Sequence, residues 1–208
     1  MLQIIPALLV AITVAIQCLA VQMSRYRLSR MNARPPHHGL ALMSGMLAAA
    51  AIILRLYQND SAVGVLFMTI MTGCMTLMTL TDAASCRLPR PFTIMYLISG
   101  SAFRLWQGDW LTGLCSAGFW FLLLLLFRQY TSYRRKTETI GLGDVFLIAG
   151  IAIWSPPGDI PWIVATAAGG ALLYLWCNRQ RRITRELPFG PFLCASQYAF
   201  TFYPGGLW

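Results

Sequence analysis

Two aspartates lie at the edges of apolar segments, where a negative charge requires a physical explanation. Asp82 ends one apolar segment, and Asp144 precedes residues 145–154, a run of ten residues without a charge. An aspartate at membrane depth costs about 2.5–3.5 kcal/mol on insertion scales. Two carboxylates held close together share one proton and titrate as a unit. One can then act as the base on a water molecule, while the protonated one donates to the carbonyl under attack.

The same residue types also fit less specific interpretations. Each aspartate could be a helix-end charge paired with an arginine, and Asp144 could cap its helix, which is favourable by about 0.5–1 kcal/mol. Capping fits Asp82 less well, because it lies at the C-terminal end of its segment, where the helix dipole opposes a negative charge. A proton relay in a transporter would also use two such acids. The two aspartates alone leave these alternatives open.

Gly141 and Gly143 precede Asp144 in the pattern G-x-G-D and favour the catalytic interpretation. Glycine permits unusual backbone angles and lets another chain approach closely. A helix cap requires neither glycine, whereas a protease that binds an extended substrate beside the acid would use both. Because a four-residue pattern often occurs by chance, the motif needs support from the rest of the chain.

The composition is that of a membrane protein. Of 208 residues, 57% are hydrophobic and 11% are charged, against about 25% charged residues in soluble domains. The formal net charge of +9 could indicate nucleic-acid binding, but the arginines occur in short clusters between apolar segments, as in membrane-flanking loops. The six cysteines form no C-x-x-C pair, and the adjacent His37 and His38 have no acid or cysteine nearby. We therefore predict no metal site and no nucleic-acid partner.

Eight apolar segments predict an all-α, polytopic membrane bundle of about eight transmembrane helices in a single domain, residues 1–208. Their bounds are about 2–23, 39–56, 62–81, 91–107, 110–127, 144–156, 160–177 and 190–206. Segments of about 20 residues can span a bilayer, and shorter ones can do so inside a bundle. Positive charge follows the first segment rather than preceding it, so we interpret that segment as a retained span and not a signal peptide.

The distribution of basic residues predicts the orientation in the membrane. Fourteen of the sixteen lysines and arginines lie in alternate loops, at residues 24–38, 83–90, 128–143 and 178–189. The positive-inside rule places these loops in the cytoplasm and both termini on the periplasmic side. Two complete crossings separate Asp82 from Asp144, so both carboxylates return to the cytoplasmic side at a similar depth.

Three sequence blocks, in order along the chain, carry a resemblance to a known family. They are TDAASCRLPRPFT at 81–93, ETIGLGDVFLIAGIAIW at 138–154 and ELPFGPFL at 186–193. Together with the eight-span layout, they resemble the type IV prepilin peptidases. These are G-x-G-D membrane aspartic proteases that remove the short basic leader from type IV pilins and pseudopilins. Three ordered blocks are far more specific than any one of them.

The resemblance implies roles for particular residues. Asp82 and Asp144 correspond to the catalytic pair, and Gly141 and Gly143 to the residues that shape the catalytic loop. The family's aspartates lie near the cytoplasmic surface of the bacterial inner membrane, which agrees with the predicted orientation. The implied partners are a type IV prepilin or pseudopilin, the lipid bilayer, and the pilus or secretion assembly machinery.

The basic leader of the implied substrate raises a question of charge, because the arginine-rich loops would repel it. Two acids remain on the side of the membrane where the loops lie, Glu138 and Glu186. We expect these two residues to attract the leader.

Three features depart from the family pattern. Arg90 occupies a position where many members have an acid, and Phe146 one where they often have a lysine. Many members also insert a cytoplasmic domain with paired C-x-x-C motifs after the first span, whereas about fifteen residues fill that place here. Many relatives methylate the new pilin N-terminus with S-adenosylmethionine. Because the chain offers little material for such a site outside the bundle, we expect peptidase activity without N-methylation, and therefore no cofactor.

Two other functions compete with this interpretation. A small proton-coupled membrane transporter would use the same acids as a relay, but transporters typically show acids at mid-span and paired repeats with broken helices, and the sequence shows neither. A non-catalytic subunit of a pilus-assembly machine would be a degenerate relative. The presence of both aspartates and both glycines favours an active peptidase over such a subunit.

Overall fold

The computed structural model describes residues 4–30, 38–57, 61–86, 88–135, 141–177 and 187–201, and these form eight α-helices without a strand. The helices are α1 (Ile4–Arg30), α2 (His38–Tyr57), α3 (Ala62–Ser85), α4 (Arg90–Gln107), α5 (Trp110–Arg135), α6 (Leu142–Trp154), α7 (Ile160–Cys177) and α8 (Gly190–Thr201). Each predicted apolar segment coincides with one helix. The predicted all-α fold is therefore confirmed.

Four of the helices are apolar and long enough to cross a membrane, judged by length and composition. They are α1, α3, α5 and α7. Shorter apolar stretches lie in α2 and α6, and residues 147–154 of α6 are all buried. An apolar helix of this length is typical of a core element surrounded by longer helices. The chain is built as a polytopic membrane protein, and the number of about eight crossings stays a prediction.

Three of the predicted cytoplasmic loops begin inside helices, so their predicted starts are wrong. The loop predicted at 83–90 begins within the last turn of α3, which ends at Ser85. Helix α1 continues through the basic cluster to Arg30, and α5 continues to Arg135. Arginine is a good helix former, and cations in the last turn interact favourably with the helix dipole. The side chains also pack along the helix: the Arg30 guanidinium lies 5.1 Å from the centroid of the Tyr26 ring, at the i, i+4 spacing.

Helix α3 forms the centre of the bundle and packs against α1, α2, α4 and α8. Residues 71–82 of this helix are all buried. Polar side chains join it to α1: Thr69 Oγ1 lies 3.2 Å from Thr13 Oγ1, and Gln17 Nε2 donates to Thr72 Oγ1 at 3.2 Å. Between helices in lipid, close packing and such hydrogen bonds replace the hydrophobic effect as the source of association. These contacts fix the position of the helix that carries Asp82.

Two glycines allow α4 and α6 to pack closely. A Cβ atom on Gly150 would lie 2.5 Å from Cδ1 of Tyr96, and one on Gly100 would lie 2.7 Å from Cγ2 of Ile153. The Trp154 indole N–H donates to the carbonyl oxygen of Tyr96 at 3.1 Å. Helix α4 therefore packs closely against α6, the helix that carries Asp144, because side chains of each helix lie against a glycine of the other.

Arg104 of α4 fixes the far end of α6. Its Nε donates to the carbonyl oxygen of Ile153 at 2.8 Å, and its Nη2 to that of Ser155 at 3.0 Å. Its Nη1 pairs with Asp109 Oδ2 at 3.3 Å. The last carbonyl groups of a helix lack partners within the helix, so this buried arginine satisfies them. The hydrogen bonds from Arg104 fix the C-terminal end of α6. Because the helix has a set length, they also fix the position of its first turn, which contains Asp144.

A Gly150→Ala substitution should destabilise the protein by about 1–3 kcal/mol, because the added methyl group overpacks the contact with Tyr96. Gly45→Ala is the matched control, since it also lies in a helix and a Cβ atom there would meet nothing within 4 Å. Alanine favours a helix over glycine by up to about 1 kcal/mol, so the control should be at least as stable as the parent. Thermal unfolding in one detergent measures both variants. Equal midpoints for the two would contradict the close contact between α4 and α6.

Candidate active site

Both predicted catalytic aspartates line one cavity of about 290 Å³. The cavity lies where α3 ends and where α4 and α6 begin. Its lining consists of Asp82, Cys86, Leu88, Arg90, Thr93, Gly141, Leu142, Gly143, Asp144 and Phe146. The structure therefore brings together the two acids and the two glycines that the sequence analysis selected. It also places Arg90 and Phe146, two of the three departures from the family pattern, at the same cavity.

Asp82 lies in the last turn of α3 and is 4% exposed. The backbone N–H of Gly190 donates to its Oδ2 at 2.8 Å. Because Gly190 is the first residue of α8, the positive end of that helix's dipole faces the carboxylate. This contact offsets the unfavourable dipole at the C-terminus of α3 and gives the buried acid a charge-assisted hydrogen bond.

Gly190 is a site residue that the sequence analysis did not single out. A Cβ atom there would lie 2.8 Å from Oδ2 of Asp82 and 3.2 Å from its Cγ. Only glycine lets the start of α8 approach the carboxylate this closely without a shift of one of them. The signal in the sequence was the third block, in which Gly190 lies between Pro188 and Pro191.

Asp144 lies in the first turn of α6 and is half-buried. The N-cap residue of this helix is Gly141, without a side-chain hydrogen bond, and its carbonyl oxygen accepts from the N–H of Asp144 at 3.2 Å. The interpretation of Asp144 as the helix cap is therefore wrong. An acid in the first turn is still favoured by the helix dipole, so both carboxylates face the positive end of a helix.

The expectation of unusual backbone angles at the two glycines is wrong. Gly141 has φ −66° and ψ 137°, which any residue can adopt, and Gly143 lies within α6. Close approach explains them instead. A Cβ atom on Gly143 would lie 2.8 Å from Cβ of Leu88, and one on Gly141 would lie 3.2 Å from Oδ2 of Asp144. The glycines leave room for the wall of the cavity and for the Asp144 carboxylate.

Cys86 connects the site to the segment before α4. It ends α3 in the left-handed region, with φ 50°, and its N–H donates to the carbonyl oxygen of Asp82 at 2.7 Å. A non-glycine residue in this region is uncommon and costs about 1–2 kcal/mol. The turn directs the chain toward Leu88 and Pro89, and thus forms the wall against which Gly143 packs.

Glu138 and Glu186, the residues expected to attract a basic leader, lie outside the described residues, so their roles stay predictions. Among the described residues, no group of three or more histidine, cysteine, aspartate or glutamate side chains could hold a metal ion. The polar groups that the described residues bring to the cavity are two carboxylates, the guanidinium group of Arg90, the thiol of Cys86 and the hydroxyl of Thr93.

Comparison with known proteins identifies the family. The sequence model of the type IV leader peptidase family matches residues 69–176, which include both aspartates. Two curated proteins named prepilin leader peptidase/N-methyltransferase, from Burkholderia pseudomallei strains 1026b and K96243, are each 33% identical over 175 residues, covering 79% of this chain and 53% of the relative. No solved structure matches the chain.

The chain therefore belongs to the type IV leader peptidase family, which confirms the resemblance found in the sequence. The chain spans about half the length of the curated relatives that it matches. The family match ends before Gly190, so the contact between α8 and Asp82 is a feature that the structure adds.

Cys86 should react with a water-soluble maleimide at least about tenfold faster than Cys194, because thiol reactivity follows exposure. Cys86 lines the cavity and is half-buried, whereas Cys194 of α8 is 1% exposed. Two purified variants, each retaining one of these cysteines with the others replaced by alanine, allow the comparison by mass spectrometry. Equal rates would show that water does not reach the cavity.

Proposed function

We propose that this protein is a membrane aspartic endopeptidase that removes the short basic leader from type IV prepilins or pseudopilins. The observation that carries the proposal is the placement of Asp82 and Asp144, from two separate helices, around one cavity. The names of the curated relatives support the substrate class. A pair of acids at one cavity is the minimum that an aspartic protease needs, since one must accept a proton while the other donates one.

The geometry favours different roles for the two acids. The Gly190 N–H bond and the start of α8 favour a negative charge on Asp82, so Asp82 acts as the base and Asp144 carries the shared proton. Asp82 takes a proton from water as the water oxygen attacks the carbonyl carbon of the scissile bond. Asp144 donates to the carbonyl oxygen. The C–N bond then breaks as the proton held by Asp82 passes to the leaving amine. One hydroxyl group of the tetrahedral intermediate returns its proton to Asp144 as the new carboxyl group forms, which restores the starting pair.

The membrane position follows from the distribution of charge along the chain. We propose that the cavity faces the cytoplasm at the inner membrane, where the basic leader of a prepilin meets its apolar segment. Arg90 lines the cavity and would repel the leader, so Glu138 and Glu186 are proposed to attract it. The lipid bilayer and the pilus or secretion assembly machinery are the further partners that this location implies.

The substitutions Asp82→Asn and Asp144→Asn should each lower leader removal by about 10²–10⁴-fold, because each removes a group that must exchange a proton. Asp159→Asn, beyond the far end of α6, is the matched control and should process at the parental rate. Purified protein and prepilin in detergent provide the assay, with protein levels checked by immunoblot. Near-normal processing by either site variant would disprove the pair.

Mass spectrometry of the mature product also tests the expected absence of N-methylation, since a methyl group would make it heavier than the free amine.

Gly143→Ala should impair leader removal by about 10–100-fold, and more than Gly141→Ala does. The methyl group on residue 143 would displace Leu88 or the start of α6, and small displacements of a catalytic group are costly. The methyl group on residue 141 meets the Asp144 carboxylate at a less severe distance. Gly169→Ala, where a Cβ atom would meet nothing within 4 Å, is the control. The proposed packing role would be refuted by a fully active Gly143→Ala variant.

Reporter fusions test the proposed orientation. Fusions after residues 30, 134 and 182 should report a cytoplasmic position, and a fusion after residue 208 a periplasmic one, because the basic clusters stay in the cytoplasm. Alkaline phosphatase and a fluorescent protein give opposite signals on the two sides of the membrane. A cytoplasmic signal after residue 208, with the other three fusions as expected, would mean that the last predicted segment does not cross the membrane, and would contradict the periplasmic C-terminus.

A further inference from the structure

A second concave surface, here called the lateral groove, runs along α4, α5 and α6 on the outside of the bundle. Its volume is about 590 Å³. Ile98 and Ala102 of α4 line one side, Gly118 and Phe121 of α5 line the other, and Phe146 and Ala149 of α6 form the floor. The lining is apolar apart from the hydroxyl of Ser101. A surface of this kind faces either lipid or an apolar ligand.

The lateral groove adjoins the candidate active site. Phe146 lines both the groove and the cavity that contains Asp82 and Asp144. Its ring also contacts Phe121 across the groove, with the ring centroids 5.2 Å apart. The end of the groove at Phe146 is therefore separated from the cavity that contains the two aspartates by a single side chain.

The shape of the lateral groove suits a helix. Small residues from three helices lie along it, namely Ala102, Gly118 and Ala149, and a Cβ atom on Gly118 would meet nothing within 4 Å. Small residues let a second helix approach closely in a membrane. Along α4 the lining extends from residue 97 to residue 105, which corresponds to about 12 Å, or about two helical turns.

We propose that the lateral groove binds the apolar helical segment that follows the leader of a prepilin, so that the bond to be cut is held at the cavity. The inference rests on the proposed function. The scissile bond and the apolar segment belong to one chain, so a segment that leaves the cavity needs an apolar path beginning at the cavity wall. The groove starts at Phe146, two residues from Asp144, and provides that path. The groove thus determines which substrates present their bond to the aspartates.

Filling the groove tests this assignment. Gly118→Trp should lower kcat/KM for a full-length prepilin by about tenfold, mainly by raising KM, because a lost binding contact affects KM more than kcat. Gly45→Trp on α2 is the matched control, since a Cβ atom there also meets nothing within 4 Å, and it should retain the parental values. Parental kinetics for Gly118→Trp would overturn the assignment. So would an equal loss in both tryptophan variants.

Cross-linking decides the matter independently, even where Gly118→Trp fails to accumulate. Ile98 is 63% exposed and lines the groove, whereas Leu172 of α7 is 66% exposed and lies elsewhere. A photoreactive phenylalanine analogue at Ile98 should capture prepilin in proteoliposomes, and one at Leu172 should not. Capture of lipid alone at Ile98, or equal capture of prepilin at both positions, would overturn the assignment.

The parental protein separates this inference from the proposed function. If the parental protein does not cut the prepilin in the same assay, the proposed peptidase function fails and the groove assignment falls with it. If the parental protein cuts the prepilin and either the tryptophan or the cross-linking experiment gives its contrary result, only the groove assignment fails.

Discussion

The hydrogen bond from the Gly190 N–H to the Asp82 carboxylate is the interaction on which the site depends. A carboxylate buried at the end of α3 has lost its water and faces an opposing helix dipole. The start of α8 compensates on both counts, with a donor at 2.8 Å and a dipole of the favourable sign. This requires glycine at residue 190, and it requires α8 to begin at the same depth as α3 ends. Helix α8 is therefore part of the candidate active site.

The second acid is positioned by α4. This helix packs against both α3 and α6, and it holds α6 at both the glycine contacts and the far end, where Arg104 satisfies the terminal carbonyl groups. Asp144 thus lies in the first turn of a short helix that is held in place at its opposite end. The outer face of the same two helices, together with α5, forms the lateral groove. One set of contacts positions the acid and shapes the surface where the substrate is proposed to lie.

The sequence predicted the eight helices and placed the two acids at the same end of the bundle, because apolar segments are local signals and their number between the acids can be counted. It did not predict how far α1 and α5 continue. Their last turns are rich in arginine, which is a good helix former, but the hydropathy that defined the segments falls where the arginines begin. It selected Gly141 and Gly143 for two reasons, and the structure removes one of them: their backbone angles are ordinary, whereas close approach does occur, to Leu88 and to the Asp144 side chain. Gly190 was missed because its partner lies more than a hundred residues away, and only the tertiary structure brings them together.

The central claim is that Asp82 and Asp144 face each other across one cavity. A short thiol-specific cross-linker tests it most directly in an Asp82→Cys/Asp144→Cys double variant whose native cysteines are replaced by alanine. An Asp82→Cys/Asp159→Cys variant is the control, because residue 159 follows the far end of α6. The account predicts an intramolecular cross-link by mass spectrometry in the first variant and none in the second. Separate labelling of the two cysteines in the first variant, without a bridge, would contradict it.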